Sequence, residues 1–184
     1  MKKLIFLPAI LLLTFNAFSQ PAFPIDKETK KITYTEVVEI NRTIKKATIE
    51  TRISNWVKGK KYLAKTKQEP TSFAFKGNIV LVYPSATTGK NEKGVVEFIC
   101  TLYPKDGRYK YVISNFKHNG INGRGSGGDL ENSAPECGKY VLPLGSWAKI
   151  KAEVHKQMPE IIADMKSNIV ATSVAQKKKN PADF

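Results

Sequence analysis

Between residues 72 and 118 the chain offers three apolar-rich runs joined by short connections, and this spacing constrains the fold more than any other feature. The runs are "SFAFKGNIVLVYPS" (72–85), residues 94–103 and residues 108–118. β-branched and aromatic side chains dominate them, as strands require. Parallel pairing needs a crossover of about a dozen residues or more. Connections this short therefore demand antiparallel neighbours.

The last two runs form a hairpin, "FICTLYPKDGRYKYVISNFKHNG" (98–120), around Pro104-Lys105-Asp106-Gly107. A three-residue connection closing Pro104 against Arg108 fits that turn chemistry. It pairs Tyr103 with Tyr109, Thr101 with Tyr111, Cys100 with Val112 and Ile99 with Ile113. Side chains alternate between faces along a strand. One face then holds Val96, Phe98, Cys100, Leu102, Val112 and Phe116, with Lys110 and Ser114 as polar members, and is assigned to the core. The other holds Val95, Ile99, Tyr103, Tyr109, Tyr111 and Ile113, interrupted by Glu97, Thr101, Asn115 and Lys117. That second face reads as an open tyrosine-rich platform. Cross-strand aromatic pairing on a solvated sheet accounts for it, and so does cover by a partner, a ligand or a second copy. The binding face expected from this register is Ile99, Tyr103, Tyr109, Tyr111, Ile113 and Lys117.

Upstream, "KITYTEVVEI" (31–40) reads as a strand and "YLAKTKQ" (62–68) as a short one. Between them, Ile49, Ile53, Trp56 and Val57 fall on one side of a helix. Asn41 or Thr43 suits its N-cap and Gly59 its stop. Residues 119–140 are glycine-rich without apolar period, and predict a loop. After them, Trp147, Ile150, Val154, Met158, Ile161, Met165 and Ile169 step by three or four, the strongest helical signal present. Ser146 is the expected N-cap, and Pro159 should bend or break the helix, since it lacks an N–H and clashes with the carbonyl of His155. The order β-α-β-β-β-β-α predicts the α+β class, an antiparallel sheet of four to five strands backed by two helices.

The chain opens "MKKLIFLPAILLLTFNAFSQ", with a basic start, an apolar stretch and Ala17-Phe18-Ser19 as a small-x-small site. This is the pattern of a secretory signal peptide, and its apolar stretch falls well short of the ~20 residues a crossing needs. Cleavage near Ser19 predicts an exported protein, periplasmic or secreted. The expected organisation is a signal peptide at 1–19, a lead-in at 20–31, one α+β domain at 32–170 and a basic mobile tail at 171–184. The formal net charge of +14 favours polyanionic or acidic partners. Export argues against nucleic acid among them. Cys100 and Cys137 both follow the signal peptide, so an oxidising compartment favours a disulfide between them; two free thiols are the alternative.

"FPIDKETKKITYTEVVEI", the Trp56 helix and "KDGRYKYVISNFKH" together resemble an uncharacterised family of exported bacterial domains described as having a fold like the TATA-binding protein. The resemblance spans about residues 23–118. It implies a curved antiparallel sheet with two helices behind it, and no catalytic residue. It does not imply DNA binding, because function belongs to sites and not to folds.

Other chemistry is weakly signalled. Gly123, Gly125 and Gly128 spell G-x-G-x-x-G, but no helix follows to receive a phosphate. Ser126, His118 and Asp129 supply triad residue types on a loop ill-suited to fixed geometry. Cys100, Cys137, His118 and His155 lack paired metal-site spacing. Neither a cofactor nor a metal is called for. A basic stripe from Lys58 to Lys67 with Lys105, Arg108, Lys110 and Lys117 is the polyanion-facing alternative to a solvated surface. The sequence thus predicts a non-enzymatic interaction module that takes an envelope protein or a second copy on its open sheet face. An amphipathic or lipidic ligand on the same face is the alternative.

Overall fold

The hairpin turn closes one residue tighter than its sequence suggests. In the computed structural model, which describes residues 22–84, 90–121 and 125–171, strand β4 (Asn91–Lys105) meets β5 (Arg108–Gly120). Lys105 pairs with Arg108, Pro104 with Tyr109 and Leu102 with Tyr111. Only Asp106 and Gly107 remain in the turn, and Gly107 takes the left-handed φ of 73° that glycine tolerates. A one-residue slip sends every side chain of a strand to the opposite face. Tyr109, Tyr111 and Ile113 therefore lie in the core and not on the open side. The physical reason is visible in what changes places: the expected register would bury Lys110 and Ser114 among apolar groups, whereas the observed one turns Arg108 and Lys110 to solvent.

Farther along β5 the register shifts again, opposite Glu97–Ile99 of β4. Asn115 has φ 58° there. The extra residue of this bulge lets Ile113 and Phe116, three positions apart, both face inward.

The other elements are β1 (Tyr34–Glu39), α1 (Lys46–Lys58), β2 (Leu63–Glu69), β3 (Ser72–Pro84), a two-residue β6 (Gly128–Asp129) and α2 (Leu144–Val170). The sheet runs β1-β5-β4-β3-β2, antiparallel throughout, and β6 adds to β5 beyond the end of β1. That is the expected α+β architecture with one short strand more, inside the segment expected to be loop. Signal peptide and basic tail lie outside the described residues. Of the lead-in, Phe23 sets its ring edge against His155 of α2, and Ile25 bridges to Ile32.

Both helices pack on one side of the sheet. Ile49, Ile53 and Trp56 of α1, and Trp147, Ile150, Val154, Met158, Met165 and Ile169 of α2, meet alternate residues of β3, β4 and β5 in a single core. Asp164 of α2 ties the helices together, accepting from Trp56 Nε1 and Lys60 Nζ at 2.8 Å each. Burial alone would raise its pKa; these bonds outweigh it and hold the carboxyl below its ordinary value. Helix α2 runs unbroken through Pro159. Of the bend or break expected there, the break does not occur; Met158 on one side and Met165 on the other are fully packed into the core.

Helix α1 is not capped by Asn41 or Thr43. Asn41 Oδ1 accepts from the Thr43 N–H and hydroxyl in a local turn. The cap comes from the β4–β5 turn: Lys46 N–H donates to Asp106 Oδ1 at 2.7 Å. Backbone bonds from Gly107 N–H to Ile44 O and from Ile40 N–H to Gly107 O, both 2.8 Å, hold the turn against the helix start. The hairpin tip is thus fixed by the α1 entry, and its outward side chains are carried on a braced support.

Candidate functional site

Among the described residues, one face of the sheet carries no helix. Thr35, Val37 and Glu39 of β1, Arg108, Lys110, Val112 and Ser114 of β5, and Val95, Glu97, Ile99, Thr101, Tyr103 and Lys105 of β4 all point there, and none is buried. On β3, Val80 and Val82, about 60% exposed, stand at the strand's unpaired edge and share a groove with Lys149 and Lys156 of α2, apart from this face. Of the six residues expected to form the binding face, Ile99, Tyr103 and Lys117 are present on it. The other three, Tyr109, Tyr111 and Ile113, belong to the core for the register reason given above. The face is therefore aliphatic and cationic, with Tyr103 as its aromatic member among the described residues of β1, β4 and β5.

Its two ends differ electrostatically. At one end, Lys76 Nζ lies 2.6 Å from Glu97 Oε1, and Glu97 also stands opposite Lys117. At the hairpin end, Lys105, Arg108 and Lys110 surround a depression of about 390 Å³ with Val37 and Tyr103. Strand pairing orders it in two rows: Val37–Lys110–Tyr103, then Glu39–Arg108–Lys105 toward the turn. Glu39 reaches Arg108 at 3.6 Å. Asp106, the other nearby acid, is committed to α1: the Lys46 N–H, then the charges of Lys45 and Lys46, hold its carboxyl below the ordinary value. Among the described residues Lys105 and Lys110 have no ion-pair partner.

The buried side of the hairpin has different chemistry. Tyr111 donates to Glu36 Oε2 at 2.9 Å, and Lys166 of α2 reaches both oxygens of that carboxylate. The Lys166 bond first, then the Tyr111 bond, lowers the Glu36 pKa. Burial, then the bond to Glu36, raises that of Tyr111. This is a structural tie between β1, β5 and α2, and it explains why a tyrosine is tolerated inside.

His118 is fully buried. Its Nδ1 accepts from the Gly127 N–H at 2.9 Å, which places the proton on Nε2. That nitrogen is buried without a partner. The rings of Tyr83 and Trp147 stand edge-on at 5.5 and 5.9 Å, and burial lowers the pKa to about 4. The triad residue types do not converge: Ser126 Oγ accepts from the Gly120 N–H, and Asp129 pairs with Lys31. Gly123 lies outside the described residues. Gly127 follows from close approach, since a Cβ there would sit 2.4 Å from the Trp147 ring. The loop is thus a packed strap holding β5 to α2, tied by His118.

Cys100 and Cys137 are free thiols, not a disulfide. Cys100 is enclosed in the core, where burial pushes its pKa up to about 12. Cys137 lies half-buried in the strap against Gly125. The basic stripe also divides: Lys60 bonds Asp164 on the helical side, whereas Lys105, Arg108 and Lys110 occupy the open face.

No protein-family model and no curated protein matches the chain. Among solved structures, its fold is similar to a DUF4468 family protein from Bacteroides ovatus ATCC 8483, with a TM-score of 0.52 at 14% identity over 78% of this chain and 89% of that one. A TBP-like protein from Parabacteroides distasonis ATCC 8503 gives a TM-score of 0.47 at 15% identity, over 79% of this chain and 97% of that one. Such a likeness is one of fold. The first of the two agrees with the α+β architecture that the sequence resemblance implies.

Proposed function

We propose that this protein is an exported, non-enzymatic interaction module that holds a partner protein on the helix-free face of its sheet. One observation carries the reading: both helices cover the same side of the sheet, and the opposite side presents aliphatic, threonine and lysine side chains on paired strands, none of them buried. An antiparallel sheet with one polar face usually alternates apolar-in and polar-out. Here Val112 and Ile99 sit in the middle of the outer face, with Val37 near them on β1. Mixed faces of this kind suit association, which pairs an apolar centre with a polar rim. Export rests on the leader-like first residues.

A photo-crosslinking residue placed at Thr101, in the centre of the open face, tests the proposal when compared with one at Lys156 on α2. Protein adducts from position 101 and none from 156, read by intact mass on protein recovered from the cell envelope, are expected. Equal adducts from both positions, or none from 101, would overturn it.

A further inference from the structure

The two unpaired lysines at the hairpin end give the open face a polarity, and this narrows what can occupy it. We infer that the depression formed by Lys105, Arg108, Lys110, Tyr103 and Val37 takes an extended acidic peptide segment of the partner, with carboxylates at alternate positions and an apolar side chain two positions further on. The inference rests on the interaction reading above and adds the chemistry of the ligand.

Three features of the site select this ligand. The first is charge. Three cations face one carboxylate, Glu39, which is taken up by Arg108, and Asp106 is turned away toward α1. The second is spacing. The free Lys105 stands in the Arg108 row and the free Lys110 in the row two residues along β5, facing the same way, so the two rows recur at ~7 Å. Carboxylates at positions i and i+2 of an extended chain recur at the same interval, whereas adjacent carboxylates point to opposite sides. The third is what lies further along β5. Beyond the Val37–Lys110–Tyr103 row comes the row Thr35–Val112–Thr101, which offers an apolar floor to the side chain at i+4.

A lipid headgroup fits less well. It brings one phosphate per molecule, with no reason to match a two-residue repeat. The site is also recessed between Val37 and Tyr103, which are 50% and 39% exposed, and a planar bilayer surface meets a recess poorly.

The probe is a labelled synthetic peptide containing Glu-Thr-Glu-Thr-Val, followed by fluorescence anisotropy at low ionic strength against the leaderless protein. An isomer with the core Thr-Thr-Glu-Glu-Val, and vesicles of phosphatidylglycerol, are the comparisons. Binding of the alternating peptide, weaker binding of the isomer, and a steep decline with added salt are expected. Lys105→Glu/Lys110→Glu should weaken binding by about tenfold, since each exposed pair contributes up to ~1 kcal/mol. Lys149→Glu/Lys156→Glu, the same charge change on α2, should leave it within about twofold when the variants are compared at about 0.1 M salt, where the Debye length is ~10 Å and more distant exposed charges are largely screened. Lys105→Gln/Lys110→Gln, which removes the cations without adding charge, should give an intermediate loss.

Equal affinity for the two peptides, equal loss in the two charge-reversed variants, or vesicle binding without peptide binding would each overturn the inference. If crosslinks form from Thr101 while the peptide fails to bind, the ligand class is wrong and the interaction reading stands. If crosslinks are absent as well, the reading itself fails.

Discussion

The inward and outward sides of β5 share one backbone and have opposite chemistry. Inward stand Tyr109, Tyr111, Ile113, Phe116 and His118, all buried; outward stand Arg108, Lys110, Val112, Ser114 and Lys117, none of them buried. The inner set is held by ring contacts, by the Glu36 bond and by the strap at Gly127. The outer set makes few contacts with the rest of the chain. Substitutions on the two sides should therefore fall into separate classes, one affecting stability and the other binding.

The largest effect is expected from Tyr109→Ser/Tyr111→Ser. Removing a buried aromatic side chain costs roughly 3–5 kcal/mol, and a domain has only ~5–15 kcal/mol in hand. Urea titration followed by circular dichroism should show a destabilised or unfolded protein. A cooperative transition at the unaltered midpoint would place these tyrosines outside the core.

Next comes His118. Its folded pKa, about 4, lies below the ordinary 6.5, so the unfolded chain takes up the proton first as pH falls. Stability is then undiminished by this group above about pH 6.5 and declines down to about pH 4, by roughly 3 kcal/mol if the whole shift is expressed. Denaturant midpoints across that window measure the decline, and His118→Phe should flatten it. A slope unchanged in the variant would assign the acid sensitivity elsewhere. Glu36, Asp106 and Asp164, whose pKa values are lowered, add their losses on the acid side of this range.

A smaller loss is expected from Asp106→Ala, which removes the α1 cap supplied across the hairpin. Asp106→Asn, which can still accept the Lys46 N–H, should recover most of the melting temperature. The smallest effect is expected on the outer side. Tyr103→Ser should change stability by no more than about 0.5 kcal/mol, and its effect should appear as weaker binding of the acidic peptide. A large loss of stability from Tyr103→Ser would end the division between the two sides.

Much of this fold is legible in the sequence, because its elements carry strong local signals. The period of Trp147 to Ile169 specifies α2, and the short connections after residue 72 specify an antiparallel sheet. The candidate site is less legible, for a reason of register. Pro104-Lys105-Asp106-Gly107 accommodates either a three-residue or a two-residue closure, and alternation then assigns residues 108–114 correctly or wrongly together, until the bulge at Asn115 returns Phe116 and Lys117 to their expected faces. One signal could have decided it: the choice that buries Lys110 carries a desolvation cost that the choice burying Tyr111 avoids, once Glu36 is available to accept its hydroxyl. That acceptor comes from β1, distant in sequence. The cap on α1 was hidden in the same way, since Asp106 is sixty residues from Lys46. Pro159 shows the reverse case, a strong local signal that does not break α2, whose Met158 and Met165 are packed into the core on either side.

The most direct test of the account is amide chemical-shift mapping of the leaderless, isotope-labelled protein titrated with the alternating acidic peptide. Perturbations grouped over Thr35–Glu39, Thr101–Lys105 and Arg108–Val112, with α1 beyond its first turn and α2 unmoved, are the predicted result. Shifts centred on the helices, or spread over lysines on every side of the molecule, would contradict it.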